Sequence, residues 1–333
     1  MQEYYGQRVS EGGLIIGEAT NISLTSRGWL GAPGLYTAEQ IEGWKRIVQT
    51  VHRGGGLMLA QLWHSGRSSH ISLTGGAQPV SASVNPEYWQ HSDHLTSTPE
   101  GWVQPSPHRA LAVPEIAGIV EDYRLAAQNA MTAGFNGVEL HAANGYLMDQ
   151  FLQDNSNKRT DEYGGSIPNR SRFLLEVVNA MISVWGADRV AVRIAPGGTW
   201  NDMSDSNSQE LFAYVAEQFN ALKIAYLHII EPRVKGSVVV IEGQGPIASG
   251  ALSNIFKGPI VSAGGFEPDT AEEAVRLGLS SAVSFGRHFI SNPDLPRRIR
   301  EGLPLAEYDR NTFYTFDAKG YTDYPAYAES LAL

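Results

Sequence analysis

The sequence predicts an α/β fold, a (β/α)8 TIM barrel in which seven strands are visible and one more is needed to close it. Three observations carry this. Seven short, continuous, mostly β-branched apolar runs recur along the 333 residues, as strands covered on both faces require. Helical patterns fill most of the intervals, and alternating strand and helix means a parallel sheet. No break in composition divides the chain, so one domain over 1–333 is favoured over two open sheets.

The opening "MQEYYGQRVSE" is polar, without alternation, and supplies no strand. The first run is "GGLIIGEAT" (12–20). The next segment, "TAEQIEGWKRIVQTVHRGG", is a helix: Thr37 and Gln40 form a capping box, Ile41, Trp44, Val48 and Val51 share a face, and Gly54 ends it. "GLMLAQLW" (56–63) is the second visible strand. Residues 64–113 then make a Pro-, Ser- and His-rich connection of little periodicity, and loops that long usually act as lids or binding loops. The helix "PEIAGIVEDYRLAAQNAMTAGF" turns Ile116, Ile119, Tyr123, Ala127 and Met131 inward and stops at Gly134. "GVELHAA" (137–143), "RVAVRIAP" (189–196), "AYLHIIE" (225–231), "GPIVSAGG" (258–265) and "SAVSFGR" (281–287) complete the strands. "FLLEVVNAMISVWG" and "SQELFAYVAEQFNAL" are helices among them, and the tail "AESLAL" (328–333) is too short for an eighth strand.

Composition narrows the function. Hydrophobic residues are 42% and charged residues 18% of the chain, the balance of a folded globule. With 25 basic against 35 acidic residues and no basic block, nucleic acid is disfavoured and small molecules are the expected partners. The absence of cysteine excludes disulfides and thiolate metal sites. The start lacks a secretion-signal pattern and no apolar run is long enough to span a bilayer, so a soluble cytoplasmic protein with no membrane partner is expected.

In a barrel of this kind the chemistry lies at the C-terminal strand ends. Gln61, His141 with Asn144, Arg193, Glu231 and Arg287 all stand there. Singly, each has an ordinary structural explanation: a satisfied strand-end histidine, turn chemistry for the asparagine, an ion pair for the arginine. Together they point polar groups into one mouth. Gly264 and Gly265 in "SAGGF" let backbone N–H groups approach a phosphate, and Arg287 follows one strand later.

"HAANGYLMDQFLQDNSNKRTDEYGGSIPNRSRF", "FGRHFISNPDLPRRI" and "YDRNTFY" resemble the old yellow enzyme family of flavin-dependent ene-reductases, and the likeness runs from "EYYGQR" to "GYTDYPAY". The resemblance implies a barrel that binds FMN, takes reducing equivalents from NADPH or NADH, and reduces the C=C bond of α,β-unsaturated carbonyl compounds by ping-pong hydride transfer. It implies flavin contacts for Ala19 (through its backbone), Gln61 (to the pyrimidine) and Arg193 (against N1 and O2). It implies a phosphate grip by Gly264, Gly265, Gly286 and Arg287. His141 and Asn144 resemble the pair that holds the substrate carbonyl oxygen, and Tyr146 the acid that protonates the α-carbon. Trp63 and Tyr314 resemble pocket-wall residues, and no metal is implied. Family members carry a preceding first strand with an "APLTR"-like end. Its absence here implies open sheet edges, weak FMN retention and a second copy of the chain as a further partner. The competing reading is an N-terminally truncated remnant, inactive or poorly folded. A flavin-free barrel hydrolase is disfavoured because the strand ends hold no carboxylate pair.

Overall fold

A computed structural model of the chain describes residues 1–236, 238–239 and 248–327. The tail 328–333 lies outside the described residues. Seven parallel strands form one curled sheet: β1 (Leu14–Asn21), β2 (Leu57–Trp63), β3 (Gly137–Ala142), β4 (Val190–Ile194), β5 (Leu227–Ile230), β6 (Ile260–Ala263) and β7 (Ala282–Ser284), in that spatial order. The seven predicted runs are these seven strands, and "MQEYYGQRVSE" is helical over α1 (Gln2–Arg8).

Helices cover the outer face. In α2 (Ala38–Arg53) the capping box is made: Gln40 N–H donates to Thr37 Oγ1, Gln40 Oε1 accepts from Thr37 N–H, and Gly54 is the C-cap. In α3 (Val113–Ala133), Ile116, Ile119, Tyr123 and Ala127 are buried as predicted, but Met131 is 40% exposed. After Ala127 the buried stripe continues three residues on, through Ala130 and Ala133, and leaves Met131 about 100° round the helix. Those alanines let α4 (Ile167–Trp185) approach closely, and Trp185 Nε1 donates to Ala127 O at 2.9 Å. Gly134 ends α3 at φ 89°, a left-handed conformation that glycine adopts without strain.

The long connection after β2 carries small elements of its own. Val80–Ser81 pairs with Arg109–Ala110, and Thr96–Thr98 forms a hairpin with Gly101–Val103. The sheet's inner face departs from an aliphatic barrel core. In β3, Val138 and Leu140 join the main hydrophobic core, and the intervening Glu139 and His141 share the other face of the strand.

Among the described residues β7 bonds only β6, while β1 bonds β2 and makes one further bridge, Asn21 to Gly34. Both outer edges therefore present backbone N–H and C=O groups ready to pair with another strand. Purified as 333 residues, the chain is expected to elute from a sizing column well above its 36.2 kDa mass. A sharp monomer peak would mean that these edges are covered.

Candidate active site

A cavity of about 530 Å³ opens at the C-terminal ends of the strands. Ala19 and Gln61 are register partners on β1 and β2, and both line it. His141 pairs with Arg193 and Arg193 with His228, a row across three strands whose side chains all line the cavity. Gly264 and Gly265 after β6, with Gly286 and Arg287 after β7, line another side. Asn144 lines the cavity just past β3, and Tyr314, 57% exposed, stands at the mouth with its ring 5.2 Å from that of Trp29. Tyr146 stands behind His141, their rings edge to face at 5.1 Å. Trp63 is buried and packs edge-on against Tyr146 at 5.0 Å, and neither ring is among the side chains that line the cavity. Glu231 turns away: its carboxylate accepts from Ala248 N–H at 2.9 Å and Ser249 N–H at 3.0 Å.

The turn that bears Asn144 and Tyr146 is held at every step. Asn144 (φ 57°) and Gly145 (φ 70°) are both left-handed. Asn201 Nδ2 donates to Asn144 O at 2.9 Å, Gly145 N–H donates to Asp149 Oδ2 at 2.8 Å, and Gln150 Nε2 donates to Gly145 O at 2.7 Å. A Cβ on Gly145 would lie 2.6 Å from Asn201 Cβ, so this approach needs glycine. Asn201 is itself left-handed and fixed by Arg67 Nη2 (to its O, 3.0 Å) and Tyr88 Oη (to its Oδ1, 3.2 Å).

Electrostatics set the protonation states. Burial, reinforced by the Arg193 charge, pushes the His141 imidazole down to about 3, so the ring is neutral at ordinary pH. Ala143 N–H points at its Nδ1 from 3.4 Å, which places the ring hydrogen on Nε2 as a donor. Burial pushes the Tyr146 phenol well up, and a hydrogen bond with the Trp200 side chain opposes this without reversing it. The phenol therefore keeps its proton.

Beneath the row lies a buried carboxylate. Glu139 accepts from Gln61 Nε2 at 2.7 Å, Tyr226 Oη at 2.8 Å and His228 Nδ1 at 2.9 Å. Burial alone would raise this carboxyl, but His228, Arg193 and Gln61 outweigh it and hold it at about 2. Glu139→Ala removes the shared acceptor and leaves these donors and the Arg193 charge uncompensated. It is expected to cost about 3–5 kcal/mol of stability, the usual effect of breaking a buried ionic pair from one side. Urea unfolding of the variant and parent chains measures it.

The family described as NADH:flavin oxidoreductase / NADH oxidase matches residues 1–306. The chain belongs to this family. It is 44% identical over 325 residues to 12-oxophytodienoate reductase 2 of Arabidopsis thaliana, covering 97% of this chain and 85% of that one. It is likewise 44% identical over 327 residues to 12-oxophytodienoate reductase 1 of Oryza sativa subsp. japonica, covering 97% and 83%. Among solved structures, morphinone reductase in complex with tetrahydroNAD superposes with a TM-score of 0.89 at 43% identity, covering 98% of this chain and 87% of that one. The old yellow enzyme homologue from Zymomonas mobilis gives 0.91 at 42%, covering 97% and 89%. The chain is thus an old yellow enzyme-type flavin oxidoreductase with the parallel sheet of the TIM-barrel members of its family.

Glu139, His228, Tyr226 and Asn201 were not singled out by sequence. For Glu139 a signal was present: a carboxylate inside the apolar run "GVEL" must find buried partners, and His228 sits in the equally apolar "AYLHIIE". Asn201 carries no such mark. Among the described residues no helix is long and apolar enough to cross a membrane, and no cluster of three His, Cys, Asp or Glu could hold a metal.

Proposed function

We propose that this oxidoreductase reduces the C=C bond of α,β-unsaturated carbonyl compounds with NADPH or NADH through FMN. One observation carries the reading: two neutral donors, His141 and Asn144, line the cavity that Arg193 and Gln61 also line, with a protonated phenol, Tyr146, edge to face with the His141 ring at 5.1 Å.

The residues suit FMN. Gln61 and the Arg193 guanidinium present donors, as the carbonyl and nitrogen edge of the ring needs. Gly264 (φ 103°) and Gly265 (φ 68°) line the cavity together with Arg287, and a Cβ on Gly286 would project into open space. Such a set would hold the phosphate. Held there, FMN would supply the hydride chemistry that links the nicotinamide to the β-carbon of the substrate. His141 Nε2–H and the Asn144 amide donate to the carbonyl oxygen as it gains negative charge, the work of an oxyanion hole. Tyr146 gives its phenolic proton to the α-carbon, and its raised pKa keeps that proton available at neutral pH.

The test is direct. The purified chain, titrated with FMN, is expected to quench flavin fluorescence and keep the yellow colour after desalting, and then to turn over NADPH or NADH only when a cyclic enone is present under exclusion of oxygen. A chain that quenches no flavin fluorescence at saturating FMN would favour the truncated, inactive reading.

A further inference from the structure

Two polar atoms of the cross-strand row lack protein partners. Among the described residues neither Arg193 Nε nor His228 Nε2 has a hydrogen-bond partner; both atoms are buried, and both side chains line the same cavity from adjacent, register-paired positions. Buried polar atoms left unpaired are costly, and each calls for an explanation.

Their chemistry is opposite. Arg193 Nε–H can only donate. His228 has its other nitrogen, Nδ1, 2.9 Å from Glu139 Oε2. Glu139 is ionised and can only accept, so Nδ1 carries the hydrogen of the neutral ring. Burial holds the ring neutral by pushing its pKa down. His228 Nε2 is therefore a lone pair facing the cavity. A carbonyl would satisfy the arginine alone and an N–H the histidine alone. A hydroxyl satisfies both, accepting from one and donating to the other. The flavin ring offers no aliphatic hydroxyl, whereas the ribityl chain between ring and phosphate is a polyol.

We propose that Arg193 Nε and His228 Nε2 together clamp one ribityl hydroxyl of the cofactor, with Glu139 fixing the histidine tautomer that makes this possible. The inference rests on the FMN reading above. It assigns His228 a cofactor-binding role and gives the buried Glu139 a reason to be charged.

The experiment compares two ligands on the intact chain: FMN, and a flavin phosphate in which a pentyl chain replaces the ribityl chain. Fluorescence titration should show FMN binding at least about tenfold tighter, the scale of one buried polar atom left unsatisfied. In His228→Leu the ratio should shrink by at least about threefold, because one of the two hydroxyl contacts is gone. A nitrogen-15 NMR spectrum of the unsubstituted chain guards against a variant that fails to fold. FMN should shift one imidazole acceptor nitrogen, and the pentyl analogue should not. Equal affinities, an unchanged ratio in a folded His228→Leu chain, or identical imidazole shifts with both ligands would overturn the clamp while leaving FMN binding intact. Binding of neither ligand would overturn the cofactor reading and the clamp with it.

Discussion

Tyr146→Phe is expected to leave reduction by NAD(P)H at the parental rate and to slow enone reduction by about 10²–10⁴-fold, the usual contribution of a positioned general acid. The split follows from where the phenol sits. Its ring packs edge-on against both His141 and Trp63, so phenylalanine keeps both contacts and removes only the proton. Because burial raises the phenol pKa, the parent chain should show no alkaline loss of this step until well above pH 10, the unperturbed value. Stopped-flow measurement of the two half-reactions decides it. Equal slowing of both halves would remove Tyr146 from the proton's path.

Loss of either oxygen-binding donor is expected to lower enone turnover by about 10²–10³-fold, as removal of one oxyanion-hole donor does elsewhere. For His141 the substitution is alanine. For Asn144, at φ 57°, it is glycine, which keeps the left-handed turn while removing the amide. Both variants should also bind para-substituted phenols more weakly, since a phenolate presents an oxygen anion like the one that develops in the reaction. His141 is neutral down to about pH 3, so phenol binding by the parent chain should show no step near the ordinary histidine pKa of 6.5. Unchanged phenol affinity in both variants would make the pair structural.

What the sequence revealed depends on whether a residue's partner is near in the chain. The capping box of Thr37 and Gln40 and the stop at Gly134 are local chemistry, and both are found where expected. The strand-end residues were legible because barrel topology brings strand ends together whatever lies between them: Ala19, Gln61, Arg193 and Arg287 all reach one cavity. Met131 failed because a fixed four-residue step overruns the 3.6-residue turn late in a long helix. Glu231, also at a strand end, was drawn off by a short helix that needed its carboxylate. The partners of Glu139 were hidden because they come from residues 61, 226 and 228, and no window of sequence holds them together.

The turn at Asn144–Tyr146 has a consequence for the order in which the protein assembles. Its shape depends on Asn201, which depends in turn on Arg67, 134 positions away, and on Gln150, whose amide reaches back 85 positions to Ser65 O. Closing such long loops costs entropy before any contact repays it, so these bonds should form late. During refolding from urea the helical circular-dichroism signal should therefore return first, with the capacity to bind a phenol following as a distinct slower phase. Until that phase completes, the chain has its secondary structure but no enzyme.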